Sequence, residues 1–558
     1  ELEATGQTFC TGSDTEVLLH WLRKYGTEQI NSLNGNRAFT FFDPRTETLV
    51  ISRDPYGERP LFYYRDDDNF IVASEMKAIF EALGNPTRIL DETWVGAYLS
   101  YQIWPNTDPS CTIYRNIRRL VPGSCIYFDL KTHTTKIRAT HDIRQKPHPE
   151  LATERIFSDV QRASEIRLRS DVPIGVFVSG GVDSTAVAAA IDAITDKPSD
   201  ITFYTTRFPG TISRDLYFAR KVATDLGVEL REIEIPFEID AVQHLKTLTH
   251  QYDQPVPFAG TTFSESIMYQ SMAADGIRVA ITGTGGDEVF GGYGNEYTES
   301  AIFEQFSKGR LLNAAATLAD ALRNGWISLP AFAIFLLQNF RREPKNNSPF
   351  RNFGEFAQTG SEKIFTHAND YYWGRESFRS TLQDMQIYDS IHGRLSGFVA
   401  FADNNAMMHS IESRNPFLDP TLTKYMALPV HQKYHHRYNK FALRSSIPPT
   451  ISSEVTWRRE KQGFTYLFEQ FYQSNRDQIL STIRDTRILN QLFRMDALVD
   501  ALAGHILERE VFMSMFTVAT FSDIFDCDFV LDDEQARAVP GIAEIAQAQD
   551  AGTAHHAV

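Results

Sequence analysis

An apolar, β-branched run, Pro173-Ile-Gly-Val-Phe-Val178, breaks into Ser179-Gly-Gly-Val-Asp-Ser184 and continues at once as an alanine-rich stretch to Ile194. A short apolar run bounded by turn signals suits a buried strand, and Thr185 to Ile194, with few polar positions, suits a helix packed on a sheet. Gly180 and Gly181 relax the steric limits on the backbone between them. Ser179, Asp183 and Ser184 supply side-chain oxygens. The first-turn N–H groups of a helix have no internal partner and carry partial positive charge from the helix dipole. Strand, glycine turn and helix N-terminus therefore define a βα unit that can hold an anion, usually phosphate, at its turn. The segment matches neither the Walker A pattern nor the G-x-G-x-x-G dinucleotide fingerprint. The plainer alternative is a βα turn whose glycines serve geometry alone; the serines at both ends and the inner Asp183 weigh against it.

Such a unit needs neighbours, and from about residue 150 the sequence alternates strand and helix. The patterns predict strands at 174–178, 201–208, 228–235 and 277–283, and helices at 185–194, 214–226 and 262–275. That rhythm implies a parallel sheet with helices on both faces and a ligand at the carboxyl ends of its strands. A second glycine-rich loop with an acidic centre, Thr282 to Gly294 (TGTGGDEVFGGYG), follows the last of these strands. At the same sheet edge, Asp183 and Asp287 can share a magnesium ion on a triphosphate, since magnesium often uses only one or two carboxylates plus phosphate oxygens. The alternative is that Asp287 or Glu288 merely caps a helix.

Residues 1 to about 140 read differently. Three hairpins are predicted, turning near Asp43-Pro44, at Asp66 to Asn69, and within Val121 to Arg138, with one helix opened by Ser13-Asp-Thr-Glu16 and stopped at Gly26. From 295 to 530 the pattern is mainly helical, and 531–558 reads as a mobile tail. The domains expected are thus 1–140, 150–530 and the tail. Two further stretches stand out. Met407 to Asp419 (MMHSIESRNPFLD) places Glu412 and Arg414 just before a Pro-Phe. Asn439 to Phe464 packs Lys440, Arg444, Arg458, Arg459 and Lys461 into a short span, which as a bare charge run reads as a solvated face.

The chain of 558 residues has a net charge of −16, which argues against general nucleic-acid or anionic-membrane binding. Its four cysteines show no C-x-x-C spacing, so a zinc site or disulfide framework is not expected and a reducing cytoplasm fits. No run of eighteen apolar residues and no secretory signal pattern occurs. A homodimer is left open.

S-G-G-x-D-S resembles the pyrophosphate loop of the N-type ATP pyrophosphatases. With the Thr282–Gly294 loop, "SIESRNPFLD", "KFALR" and "RREKQGF", in that order, the chain resembles the class II, glutamine-dependent asparagine synthetases. "SDTEVLLH", "RDPYGERPLFYY" and "ASEMKAIF" are similar to the later portion of that family's N-terminal nucleophile glutaminase domain. The resemblance implies an α/β protein: a truncated, antiparallel-sheet amidotransferase domain, then a parallel-sheet, Rossmann-like ATP pyrophosphatase domain with a helical C-terminal part. It implies ATP and Mg2+ as cofactors, glutamine or ammonia as nitrogen source, and aspartate or another carboxylate as acceptor. Ser179, Gly180, Gly181, Asp183 and Ser184 would hold the pyrophosphate part of ATP, and the backbone at Val178, Thr206, Thr282 and Gly283 the nucleotide. Asp183 and Asp287 would bind the metal. Lys440, with Glu412 and Arg444, would carry the synthetase chemistry, and Asp14 would hold the α-amino group of glutamine.

Three departures accompany the resemblance. The chain begins at Glu1 rather than at a nucleophilic cysteine, which we read as a missing N-terminal segment; as given, the chain is expected to use ammonia and not glutamine. Thr284 stands where the family usually carries an acid, and Gln254 where it frequently has Glu in D-E-P. The last two strip acidic groups from the expected acceptor pocket. The leading reading is asparagine synthesis from aspartate, glutamine and ATP; Thr284 favours a relative that adenylates another carboxylate, as β-lactam-forming and lasso-peptide-cyclising members do, and a non-catalytic nucleotide-binding scaffold is a third reading.

Overall fold

The structure, a computed structural model, describes residues 2–529 apart from 102–107, 142, 144–152, 196–200, 211, 237–238, 257–258, 295, 331, 334–355, 359–380, 460–467 and 505–508. The expected tail, 531–558, and Lys461 lie outside the described residues.

The first part is built from antiparallel hairpins. Strands β1 (Ala38–Asp43) and β2 (Thr48–Arg53) pair in the register Asp43↔Thr48 around the Asp43-Pro44 turn. Strands β3 (Phe62–Arg65) and β4 (Phe70–Ala73) pair across Asp66 to Asn69, where Asp66 Oδ1 accepts the Asp68 and Asn69 N–H groups. The two-residue strand β5 (Arg88–Ile89) stands apart, and β6 (Ile117–Arg119) completes a three-stranded sheet in the order β4-β3-β6. Strands β7 (Ser124–Asp129) and β8 (Thr134–Ala139) form the third hairpin and extend the other sheet to β1-β2-β7-β8. The helix Asp14–Tyr25 begins as expected at Ser13, whose Oγ accepts the Thr15 N–H at 3.2 Å, and Gly26 stops it. Glu16 does not close a reciprocal box with Ser13. It turns back to the Cys10 and Thr11 N–H groups and the Thr11 hydroxyl, and these bonds hold its carboxyl down at about 2.

The second part is a five-stranded parallel sheet. Strands β9 (Ile174–Phe177), β10 (Ile201–Arg207), β11 (Leu230–Glu234), β12 (Val279–Ile281) and β13 (Glu412–Arg414) lie in the order β11-β10-β9-β12-β13. Helices Val182–Ile194, Arg214–Leu226 and Ala259–Ala274 connect or follow the strands, close to their expected bounds. Gly227, left-handed at φ 69°, ends the second of these with its N–H on the Ala223 and Thr224 carbonyls. Strand β13 lies within the segment after residue 295, which is mainly helical as expected. Three residues with charged ends show no periodicity, and the strand exists because Val279↔Glu412 and Ile281↔Arg414 pair along the side of β12 away from β9.

The parts share one core. Trp94 and Tyr114 of the first pack in the same cluster as Tyr269, Phe516 and Phe521 of the second, and β14 (Cys527–Asp528) returns to pair with β5. Partly buried polar contacts cross between them as well. Arg59 meets Asp403 and lies 2.8 Å from Glu412, and Asn34 donates to Asp419 at 3.0 Å. Among the described residues no helix is long and apolar enough to cross a membrane.

Candidate active site

The loops after β9 and β12 meet at the carboxyl edge of the parallel sheet. Val178 continues β9, its N–H on the Tyr204 carbonyl at 2.8 Å. Ser179 and Ser184 then tie the turn across its base: their hydroxyls lie 3.0 Å apart, and the Ser179 N–H donates to Ser184 Oγ at 3.1 Å. Gly180 is left-handed at φ 68°, and a Cβ there would lie 2.6 Å from the Ala219 backbone nitrogen, so both conformation and space require glycine. Gly181 begins the helix Val182–Ile194 with no side-chain cap, which leaves its first-turn N–H groups directed at the cleft. Arg458 braces the turn from behind: it donates to the Gly180 carbonyl at 2.9 Å, pairs with Asp215 and stacks on Phe218.

From the second loop, Gly283 comes so close that a Cβ would sit 2.7 Å from the Ser184 nitrogen. Thr282 donates to Asn415 Oδ1 at 2.7 Å and lies 2.9 Å from the Thr284 hydroxyl. Gly285 begins the short helix Gly286–Phe290, which carries Asp287 in its first turn. The adjoining Glu288 is fully buried. Burial first, and then Asp287, push its carboxyl up to about 8, and the Tyr293 hydroxyl donates to it at 2.7 Å.

Lys440 joins the loops. It is left-handed at φ 51° and 2% exposed, and its Nζ lies 2.5 Å from Asp183 Oδ2 and 2.6 Å from Asp287 Oδ1. A third residue fixes this turn. Arg444 places Nε on the Asn439 carbonyl at 2.9 Å and Nη1 on the Thr456 and Arg458 carbonyls at 2.7 and 2.9 Å. Burial lowers its guanidinium to about 10. Lys440, Arg444 and Arg458 are therefore buried, which overturns the solvated-face reading for all three; Arg459 is exposed. The charge run gave no sign of this, because Lys440 and Arg458 are buried by partners distant in sequence and Arg444 by backbone carbonyls that only the folded turn brings to it.

The other residues expected here divide. Ser179 to Ser184, Thr282, Gly283, Thr284, Asp287 and Lys440 come together, and Thr206 stands near the end of β10, half-buried. Arg444 clamps the turn instead of projecting into the centre. Glu412 does not join: it pairs with Val279 at the start of β13, away from the carboxyl edge, and is held by Arg414 at 2.9 Å and Arg59 at 2.8 Å. These two arginines keep its carboxyl low despite burial. Gln254 does not join either. Asp253, left-handed at φ 58°, turns the chain toward the first part, and Gln254 lines a cavity of about 20 Å³ with Arg53, Phe62 and Arg119. Asp14 is exposed on the first helix, within the antiparallel part. Sequence reasoning missed Glu58 and Asn415, which meet between the parts; Asn415, next to the Pro-Phe pair, was the available signal.

The site fits a magnesium ion on one observation: Asp183 Oδ1 is buried without a hydrogen-bond partner, beside the second carboxylate of Asp287. Among the described residues no group of three or more His, Cys, Asp or Glu side chains could hold a metal, so these two carboxylates suit an ion that takes its remaining ligands from phosphate and water.

Parallel strands with paired glycine loops at their carboxyl edge, preceded by an antiparallel part, suit an enzyme that binds a phosphate-bearing ligand at that edge. A family model described as asparagine synthase matches residues 156–523, and one described as a glutamine amidotransferase domain matches residues 1–138. The chain belongs to the asparagine synthase family. It is 27% identical over 532 residues to asparagine synthetase [glutamine-hydrolyzing] 1 of Bacillus subtilis, covering 91% of this chain and 80% of that one. It is 26% identical over 498 residues to the amidase chry2 of Gibberella zeae, with 80% and 72% covered. It is also 30% identical over 295 residues to a putative asparagine synthetase of Methanocaldococcus jannaschii, with 51% and 54% covered.

Proposed function

We propose that the chain makes an amide from a carboxylic acid in two steps. The carboxylate attacks the α-phosphorus of ATP, forming an acyl-adenylate and releasing pyrophosphate. Ammonia then attacks the acyl carbon, and AMP leaves as the amide forms and a proton is lost. The observation that carries this reading is Lys440 held between Asp183 and Asp287 against the Ser179–Ser184 turn. In this scheme the turn, with Val178, Thr206, Thr282 and Gly283, receives the nucleotide, its uncapped helix N-terminus facing the phosphates. Asp183 and Asp287 would hold Mg2+, which when bound neutralises phosphate charge. Lys440 then faces the charge that develops on the acyl oxygen and departing phosphate, where a fixed cation is worth most. In the first part, Asp14 would hold the α-amino group of glutamine.

Aspartate is the acceptor we favour, because the similarity to a glutamine-hydrolysing asparagine synthetase extends over 91% of the chain. A second reading, adenylation of a different carboxylate, is favoured by the uncharged Thr284 in the acceptor pocket. The test is pyrophosphate release and amide formation from aspartate and a panel of other acids, with ammonium supplied. Asparagine from aspartate supports the first reading; AMP formed from another acid alone supports the second; no AMP from any acid overturns both.

A further inference from the structure

Asn415 lies between the two parts of the molecule. Its amide nitrogen donates to Glu58 Oε2 at 2.8 Å, and its amide oxygen accepts the Thr282 hydroxyl at 2.7 Å. Asn36 donates to the same Glu58 oxygen at 3.1 Å and to the Ser413 carbonyl at 3.5 Å; the carbonyl can only accept, which fixes the Asn36 amide. Two N–H donors therefore converge on Glu58 Oε2. A hydroxyl has a single proton, and that of Thr282 is committed to Asn415. Thr282 Oγ1 also accepts the Thr284 backbone N–H at 3.2 Å and lies 2.9 Å from Thr284 Oγ1. With the Thr282 proton already spent, Thr284 is the donor in that contact.

We propose that Glu58 is a positioning residue which, through Asn415 and Thr282, turns the Thr284 proton inward and leaves Thr284 facing the cleft as a hydrogen-bond acceptor only. The acceptor acid accordingly carries an N–H or O–H group where it meets Thr284. This rests on the reading of Thr284 as part of the acceptor pocket. Glu58 and Asn415 are buried at 5% and 2% exposure, so water does not compete for the chain of bonds, whereas Thr284 is half-buried at the cleft. Burial, then Asp54, pushes the Glu58 carboxyl up to about 8, so near neutral pH the inner end of the chain is an uncharged acid whose carbonyl oxygen takes both amides.

The test uses matched acids that differ in one group: N-acetyl-L-aspartate against (S)-2-acetoxysuccinate, where an ester oxygen replaces the single N–H, and L-aspartate against methylsuccinate, where a methyl replaces the whole ammonium. Pyrophosphate release gives kcat/KM for each. The wild-type chain is expected to prefer the donor-bearing acid by about tenfold or more, the usual penalty for leaving a site's polar group unpaired. Thr284→Val and Asn415→Leu should bring the ester ratio toward one, the first by removing the acceptor, the second by freeing the Thr282 proton so that Thr284 can turn outward. Glu58→Gln keeps a carbonyl for Asn415 and should keep the wild-type ratio, whereas Glu58→Leu should lose it. A purely structural effect lowers kcat/KM for both members of a pair alike. A wild-type ratio near one, or a ratio unmoved in Asn415→Leu and Thr284→Val, overturns the relay while leaving adenylation intact. No pyrophosphate from any acid overturns the adenylation reading and the relay with it.

Discussion

Replacing Lys440 by Met keeps the apolar stem of the side chain and removes its charge, leaving the Asp183 and Asp287 carboxylates facing each other. The ammonium lies 2.5 and 2.6 Å from them, and the side chains of Lys440, Asp183 and Asp287 are 3, 9 and 21% exposed. Removing one partner of a buried ion pair costs about 3–5 kcal/mol. Water at the partly exposed Asp287 places this variant near the lower figure, about 3 kcal/mol. That cost applies to the free protein. Mg2+ with ATP brings positive charge to the same carboxylates, so the stability gap between wild type and variant should narrow when both are added without an acceptor acid. Catalysis should be lost separately: removing one such stabiliser of developing charge costs about 10²–10³ in rate, or about 3–4 kcal/mol on the barrier. Denaturant midpoints with and without Mg-ATP give the first quantity. Exchange of labelled pyrophosphate into ATP and formation of the amide give the second, and amide formation should fall much further than exchange. Equal losses in the two reactions would place Lys440 in nucleotide binding. A stability gap indifferent to Mg-ATP would refute the shared use of Asp183 and Asp287.

A Cβ on Gly292 would overlap the Asp287 carboxylate and Lys440 Cε, so Gly292→Ala should abolish pyrophosphate exchange while circular dichroism shows the fold retained. Glu58 binds its proton more tightly folded, at about 8, than at its ordinary 4.5, so the stability this provides is full below about 4.5 and is lost as pH rises through about 8. Integrated, the loss is on the order of 5 kcal/mol, and Glu58→Gln should gain urea midpoint relative to wild type between pH 5 and pH 9; a pH-independent difference would remove the buried acid from the account. Thr284→Glu should preserve or improve asparagine formation if aspartate is the acceptor, and should depress AMP formation from any acid that the added charge repels, as product analysis will show.

What could be read from the sequence was what contiguous residues decide for themselves. The three hairpins close where turn residues lie between alternating runs, and the Ser179–Ser184 turn announces itself because glycine freedom and an uncapped helix N-terminus belong to one short segment. Strand β13 was hidden because three residues have no period, and its place is set by β12. Lys440, Arg444 and Arg458 looked like a solvated run because composition cannot say which carboxylate or carbonyl a cation will meet: Lys440 reaches Asp183 across 257 residues, and Arg458 reaches Gly180 across 278. Glu412 and Gln254 failed in the opposite direction. They sit beside motif residues in sequence, yet strand register and the left-handed turn at Asp253 carry them to the contact between the two parts. The same limit applies to acceptor choice. Thr284 by itself offers a hydroxyl that can donate or accept, and only the bonds running through Thr282 and Asn415 to Glu58, 357 residues from Asn415, give it a direction. Phosphate handling thus follows from a local segment, whereas the polarity of the acceptor pocket follows from a contact between the parts, and variants at Glu58, outside the loops of the site, can test the pocket without altering the groups that meet ATP.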